Sequence, residues 1–468
     1  MTNIISDVKK CGSISIKKIT LYNLPRFIGW ISVFIWIYLV WMPGYGIEPR
    51  QMMLGIQANK LFVIIYLVSA VLVICFFDGR AYTKLAPASA FILLIALIAT
   101  LFFKLEIIYL YILIPCAVAT GHLFACFGFS YFMILNNSEK FYAIFFGVIM
   151  SKMVYYIISC IGNTIVFKLC AGLVLVILII CAFFIAWRSI ETVGDINVII
   201  PLSAYSSMLL VFAVYFLNDI TVPFIFKNLE LSTGKSLAAY YLAGIILGAL
   251  ITYVLRRFAG LSMCYGVNIS FFLISLGSVM AIIYKNALSF AYVSSFLFGA
   301  AYASGMITIY YISGIMSKKF SSVIFYRIGA AISGAGYMSG FILLLLLKNS
   351  YESSSFLHIA LISIIITMIL VFISPMFSSK LYNAECMDDL NRPDVTHGTR
   401  LDEKLAEFKL SPKEKEVCRL MLGGYTLRQI SATMGIAYST ANTYGTSLYR
   451  KLNINSKTEL LLMFRELI

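Results

Sequence analysis

The sequence predicts an all-α protein: a polytopic transmembrane helical bundle of about twelve spans, followed by a small four-helix C-terminal domain. Three observations carry this. The 468 residues are 61% hydrophobic and only 12% charged, with mean hydropathy +0.92, whereas a soluble domain is closer to half apolar and a quarter charged. Apolar stretches near twenty residues long, enough to cross a hydrocarbon core of about 30 Å, recur about twelve times in the first four fifths of the chain. After Met376 the composition shifts abruptly to a polar, partly acidic segment containing Asp388, Asp389, Pro393 and Asp394, and the last sixty or so residues regain globular patterning.

The spans fall at about 27–42, 61–77, 88–103, 107–133, 141–160, 165–187, 198–217, 237–255, 264–284, 287–316, 323–347 and 355–376. Connections rich in Lys and Arg alternate with poorer ones. Arg80 with Lys84, Lys140, Arg188, Arg256 with Arg257, and Lys318 with Lys319 share one side with the N-terminal lysines. By the positive-inside rule that side is cytoplasmic, so both termini are expected there. The basic N-terminal segment has no short apolar core with a small-residue cleavage site, so the first span is expected to stay as an anchor. The expected organisation is a basic N-terminus over 1–26, a transmembrane domain over 27–376, a linker over 377–409 and a C-terminal domain over 410–468. The ten cysteines show no metal-ligand spacing and read as apolar fillers, so no metal or cofactor is expected.

The C-terminal stretch divides by its own punctuation. Ser411, Pro412 and Glu414 form a capping box with proline at the first helical position. Gly423 and Gly424 end that helix. A second runs from Thr426 to Gly435 and a third from about Ser439 to Leu452, while Ser456 with Glu459 starts a fourth. Two helices joined by a short glycine-containing turn form the arrangement that sets the second of them into a DNA major groove. Here the resemblance becomes specific. The opening Leu410-Ser411-Pro412-Lys413-Glu414 with Glu416-Val417, the central Gln429-Ile430-Ser431 with Met434-Gly435-Ile436, and the closing Tyr449-Arg450-Lys451-Leu452 resemble the LuxR/NarL-type helix-turn-helix family.

The resemblance implies a transcriptional regulator that binds double-stranded DNA. It implies base contacts from Asn442, Thr443 and Thr446, with Asn442 suited to bond an adenine through two hydrogen bonds. Phosphate contacts would come from Arg450 and Lys451, helped by Thr440 and Tyr444; the plainer reading of Arg450 and Lys451 is a solvated last turn that complements the helix dipole. Three positions depart from the family pattern. Ala437 replaces a Ser-type cap, Ala441 a larger aliphatic, and Gly445 sits inside the third helix at a cost of ~1 kcal/mol relative to alanine. That glycine could instead let the backbone approach the groove. The fourth helix is apolar on more than one face, so Leu460, Leu461 and Phe464 are expected on a homodimer surface.

About twelve spans with both termini inside are similar in plan to the major facilitator transporters, and Asp78-Gly79-Arg80 with Lys84 echoes that family's cytoplasmic loop motif. No drawn span contains Asp or Glu, which argues against a proton-driven pump. Lys152 and His122 are the candidate membrane ligand site. An ammonium near the middle of a span faces a cavity, where it could hold an anionic small molecule, or else snorkels or bonds backbone carbonyls. Gly244 with Gly248 and Gly336 with Gly340 have the spacing of close helix contacts. No nucleophile and base pair, phosphate loop or metal cluster is legible, so no enzyme is expected. The expected function is a one-component regulator of the bacterial inner membrane, with the transmembrane domain sensing a ligand or membrane state; the alternative is a facilitative transporter carrying a regulatory DNA-binding domain.

Overall fold

The computed structural model describes residues 14, 16–40, 52–53, 56–77, 83–102, 105–187, 208, 211–218, 222–257, 264–319, 323–346 and 353–386, and at the C-terminus 405, 408, 410–422, 425, 427–434, 436–456, 459–460 and 463–464. The first helices are α1 (Leu24–Val40), α2 (Ala58–Phe76), α3 (Ala86–Phe102), α4 (Leu105–Phe129, continued by a π-helical turn Ser130–Ile134), α5 (Asn137–Ile161) and α6 (Thr164–Trp187). They are followed by α7 (Val222–Thr233), α8 (Ala238–Arg257), α9 (Cys264–Ile282), α10 (Leu288–Lys319), α11 (Val323–Leu346) and α12 (Ser353–Cys386). Two-residue strands β1 (Met52–Met53) and β2 (Ile56–Gln57) pair before α2 and depart from the all-helical expectation. The fold class is otherwise as expected.

Among the described residues, seven helices are long and apolar enough to cross a membrane, and three shorter apolar helices accompany them. Eleven of the twelve expected spans overlie helices, and most of the seventh lies outside the described residues. Large apolar side chains cover the outer faces: Leu169 is 69% exposed and Phe372 82%. In water such a surface would drive aggregation; against acyl chains it carries no cost.

The helices form two groups. In the first, α2 packs along α4, α3 along α4 and α6, and α1 along α5 and α6; in the second, α8 and α9 pack along α10, and α9 along α12. Contacts of α5 with α10 and α8, and of α2 with α11, join the groups. Gly244 and Gly248 serve close packing, as their spacing predicts: a Cβ on Gly244 would lie 1.9 Å from the Phe296 carbonyl oxygen of α10. Gly336 packs against Phe212 and Tyr215, and the side chain position of Gly340 lies outside the description. α5 is closed at both ends by its own sequence. Asn136 and Glu139 form a reciprocal capping box, and Gly162, at φ 64°, supplies the left-handed residue that lets its N–H reach the Ile158 carbonyl.

Two expectations need correction here. The helix containing the last span does not end at Met376 but runs on to Cys386, so the first ten residues of the expected linker are helical. The drop in apolarity marks the end of the lipid-facing part, and helix propagation needs only the absence of a breaker. Lys140, counted above with the loop cations, is instead fully buried in the first turn of α5, and its Nζ donates to the Gly314 carbonyl of α10 at 2.7 Å.

Candidate DNA-binding helix and membrane cavity

The C-terminal residues fold as α13 (Pro412–Leu422), α14 (Leu427–Met434) and α15 (Tyr438–Leu452), with helical residues at Glu459, Leu460 and Met463 beyond. The capping box that starts α13 is present: the Ser411 N–H donates to Glu414 Oε2 at 2.7 Å and the Glu414 N–H to Ser411 Oγ at 3.3 Å. Leu410, Val417, Cys418, Met421, Leu422, Ile430, Ala441, Leu448 and Leu452 make one core. Burial raises the Cys418 thiol to about 12, so it is an apolar filler, as expected of the cysteines.

On α15 Tyr438, Ser439, Asn442, Thr443, Thr446 and Arg450 are exposed and spaced three and four apart on one face, and Lys451 is exposed beside Arg450. The three residues expected to meet bases therefore stand together. The hydroxyls of Thr443 and Thr446 donate to the Ser439 and Asn442 carbonyls, each at 2.9 Å, which leaves their oxygen lone pairs outward. Thr440 and Tyr444 are half-buried beside this face, and Tyr444 leans on the core. Ala437 begins α15 with no side-chain cap, as its identity requires, and Asn453 ends it in the left-handed conformation at φ 55°.

Three expected roles change. Lys451 is engaged inside the domain: its ammonium lies 2.6 Å from Glu414 Oε2, and the Ser447 hydroxyl donates to Glu414 Oε1 at 2.6 Å. Burial pushes the Glu414 carboxyl up, but the hydrogen bonds from Lys451, Ser447 and Ser411 outweigh it and hold the group down at about 2. Glu414 thus ties the start of α13 to the end of α15. Leu460 and Phe464, expected on a dimer surface, are fully buried in the domain's own core, with Phe464 edge-on to Phe408. These two side chains complete the core of a small domain. Leu461 lies outside the described residues, and Met463 is 36% exposed. Gly445 faces inward: a Cβ there would meet Leu427 at 3.2 Å and Met421 at 3.4 Å. Its absence lets α15 seat on α13 and α14, so packing, not groove approach, explains the glycine.

In the bundle, a cavity of about 660 Å³ lies between the two groups of helices, with Lys152 of α5 in its wall. The Lys152 ammonium sits over aromatic faces, 4.0 Å from the Tyr38 ring centre, 4.8 Å from Tyr302 and 6.0 Å from Tyr241. The hydroxyls of Tyr38 and Tyr302 are hydrogen-bonded to each other. The rings come from α1, α8 and α10, so the lysine bridges both helix groups, and ring quadrupoles offset part of its charge. His122 does not join it. The imidazole is buried against α3, with Nδ1 2.9 Å from Ser89 Oγ, and it does not line this cavity. It is a packed, hydrogen-bonded histidine, and the structure does not bring it into the cavity that Lys152 lines.

Two carboxylates escaped the sequence reading. Glu230, on the unexpected α7, lines the cavity and accepts the Leu237 N–H at 3.0 Å. Glu139 is fully buried and accepts from the Thr20 N–H and hydroxyl, the Asn23 amide and the Asn136 N–H. Its signal was the legible Asn136-x-x-Glu139 capping spacing. Glu139 and Lys140 close the N-terminal end of α5, whereas Lys152, Tyr155 and Tyr156 border the cavity toward the other end. A smaller apolar cavity of about 110 Å³ shares Tyr66, Phe124, Tyr215 and Tyr310 with the larger one, so a layer of aromatic rings stands between them. Asp78-Gly79-Arg80 lie outside the described residues. Among the described residues no group of three His, Cys, Asp or Glu side chains is placed to hold a metal ion.

Two kinds of known protein account for the two parts. Residues 409–464 match the family of bacterial regulatory proteins described as GerE, luxR family. The C-terminal segment is a LuxR-type helix-turn-helix domain. The helical bundle is similar in fold to a bacterial homologue of the iron transporter ferroportin in its outward-facing state, with TM-score 0.53 and 10% identity over 76% of this chain and 98% of the other. The same protein with soaked iron gives TM-score 0.53 and 10% identity over 77% and 100%. No curated protein matches the chain. The molecule thus joins a LuxR-type helix-turn-helix domain to a helical bundle that shares the fold of that protein.

Proposed function

We propose that the chain is a membrane-embedded one-component transcriptional regulator, in which occupancy of the bundle cavity alters DNA binding by the C-terminal domain. The observation that carries this is the exposed face of α15. Asn442, Thr443, Thr446 and Arg450 stand side by side on the helix that this domain family sets into the major groove, joined in one chain to a bundle with a ligand-sized cavity. Asn442, Thr443 and Thr446 would read bases, while Arg450, with Thr440 and Tyr444, would hold phosphate oxygens. The bundle would sit in the bacterial inner membrane with twelve spans and both termini cytoplasmic, since DNA must be reached from that side.

Coupling would run through α12, which continues as helix from Phe377 to Cys386, about 15 Å at 1.5 Å per residue. A ligand shifts the equilibrium only if it binds the two arrangements of the bundle with different affinity. Lys152, whose cage draws on both helix groups, is placed to give that difference. Paired half-sites would be met by two copies, because one small domain makes too few phosphate contacts for tight specific binding.

The transporter reading is favoured by one observation, the fold shared with ferroportin's bacterial homologue. The described polar lining of the cavity is tyrosines, two serines, one lysine and one glutamate, with no group of three His, Cys, Asp or Glu side chains placed to hold a metal ion among the described residues. The test is chromatin occupancy of the intact, tagged protein against Asn442→Ala and Arg450→Ala variants. Lys451 is left intact because it holds Glu414. Discrete promoter peaks that weaken at least tenfold in the variants support the regulator, given ~1–3 kcal/mol for a base-reading pair. Absence of peaks with measurable solute uptake through the bundle would establish the transporter instead.

A further inference from the structure

A lysine inside a membrane bundle suggests a counter-ion for an anion, but the surroundings of Lys152 describe a different chemistry. Its ammonium already lies over the faces of Tyr38 and Tyr302, with Tyr241 further off. Ring faces carry the negative end of the aromatic quadrupole, so this corner of the cavity is a locus where the protein holds a cation. Around it the described lining contributes one further charged group, the Glu230 carboxylate, and more ring surface from Tyr155, Phe226 and Tyr310.

We propose that the cavity binds a small organic cation bearing an apolar or aromatic group, and that Lys152 is a tethered cation which such a ligand displaces from the tyrosine faces. Lysine suits the part. Its charge is compact and its four-carbon stem is flexible, so the ammonium can leave the rings for the water of the cavity without movement of α5. The exchange conserves charge on the rings, because one cation replaces another, while Glu230 in the same lining offers the incoming ligand a carboxylate. An anion in the same place would stand against ring faces, which is unfavourable. The volume of about 660 Å³ accommodates a ligand of drug-like size. Because the cage is assembled from α1, α8 and α10 while its occupant belongs to α5, the exchange replaces a covalently anchored bridge between the helix groups by a diffusible one. That is the difference in contacts which a ligand-dependent change of arrangement requires.

This rests on the cavity being the input site of the proposed regulator, and the experiment separates the two. The purified full-length protein is titrated calorimetrically in detergent with phenyltrimethylammonium, its uncharged isostere tert-butylbenzene, and benzenesulfonate. Phenyltrimethylammonium is expected to bind saturably and at least fivefold more tightly than the other two. Glu230→Gln is expected to weaken it about tenfold, and Lys152→Met to strengthen it severalfold by removing the competitor, with thermal unfolding confirming that both variants fold. Benzenesulfonate binding that is strongest and is abolished in Lys152→Met overturns the proposal in favour of an anion site. Failure of all three probes on folded protein overturns it as well, yet leaves the regulator standing if promoter occupancy persists. Cation binding without promoter occupancy does the reverse.

Discussion

Replacing Glu414 by alanine removes a buried carboxylate that ties the first helix of the DNA-binding domain to Ser447 and Lys451 of α15, and its effect can be worked from the structure. The carboxylate is 4% exposed and receives the Ser411 N–H, the Ser447 hydroxyl and the Lys451 ammonium at 2.7, 2.6 and 2.6 Å. Those partners hold its ionisation near 2 against an ordinary 4.5. At ~1.4 kcal/mol per tenfold change, this places an upper bound of ~3 kcal/mol on the stabilisation. The Lys451 side chain is 34% exposed, so solvent screening reduces its share, and ~2 kcal/mol remains, in the range for a hydrogen-bonded charge. Hydrogen exchange of the full-length protein in nanodiscs, followed on peptides from α13 and α15, is expected to show opening increased about thirtyfold in Glu414→Ala, the equivalent of ~2 kcal/mol. The sign with pH is fixed. A carboxyl whose folded value is depressed contributes its full stability above about 4.5 and loses it as pH falls toward 2. The wild type should therefore lose protection across that window, after correction for the intrinsic exchange rate, and the variant should not. Less than a twofold change at neutral pH, or an unaltered pH response in the variant, would refute the assignment of Glu414 as the tie.

Three further predictions concern packing. Gly445→Ala should leave domain stability within ~0.5 kcal/mol, because the helix-propensity gain is offset by crowding of the flexible ends of Leu427 and Met421, whereas Gly445→Leu should cost ~2 kcal/mol by overpacking; hydrogen exchange measures both, and an alanine variant that loses DNA affinity at unchanged stability would place the glycine at the groove after all. Gly244→Ala puts a methyl 1.9 Å from a backbone oxygen that cannot swing aside, so a lowered unfolding midpoint, equivalent to ~1–3 kcal/mol, is expected for the detergent-solubilised protein. His122→Leu should lose ~1 kcal/mol with its Ser89 hydrogen bond and leave phenyltrimethylammonium binding unchanged, since the imidazole is remote from the cavity; altered binding would return His122 to the site.

The sequence by itself determined the features that rest on local or one-dimensional signals. Apolar runs of bilayer length placed the spans, since lipid demands internally satisfied backbone over a fixed thickness. The capping residues Ser411 and Glu414 placed the start of α13, and the spacing of Asn442, Thr443 and Thr446 placed these side chains on one exposed face of α15, since a helix sets its own periodicity. The tertiary structure decided what depends on neighbours distant in the chain. Lys152 meets tyrosines from three other helices, and no spacing within α5 could show those rings beside its ammonium. Glu230 entered the cavity on α7, a helix too polar to register as a span. Leu460 and Phe464 went inward and Gly445 proved to be a seat for its neighbours, because burial is a property of the assembled core and not of a helix's own pattern.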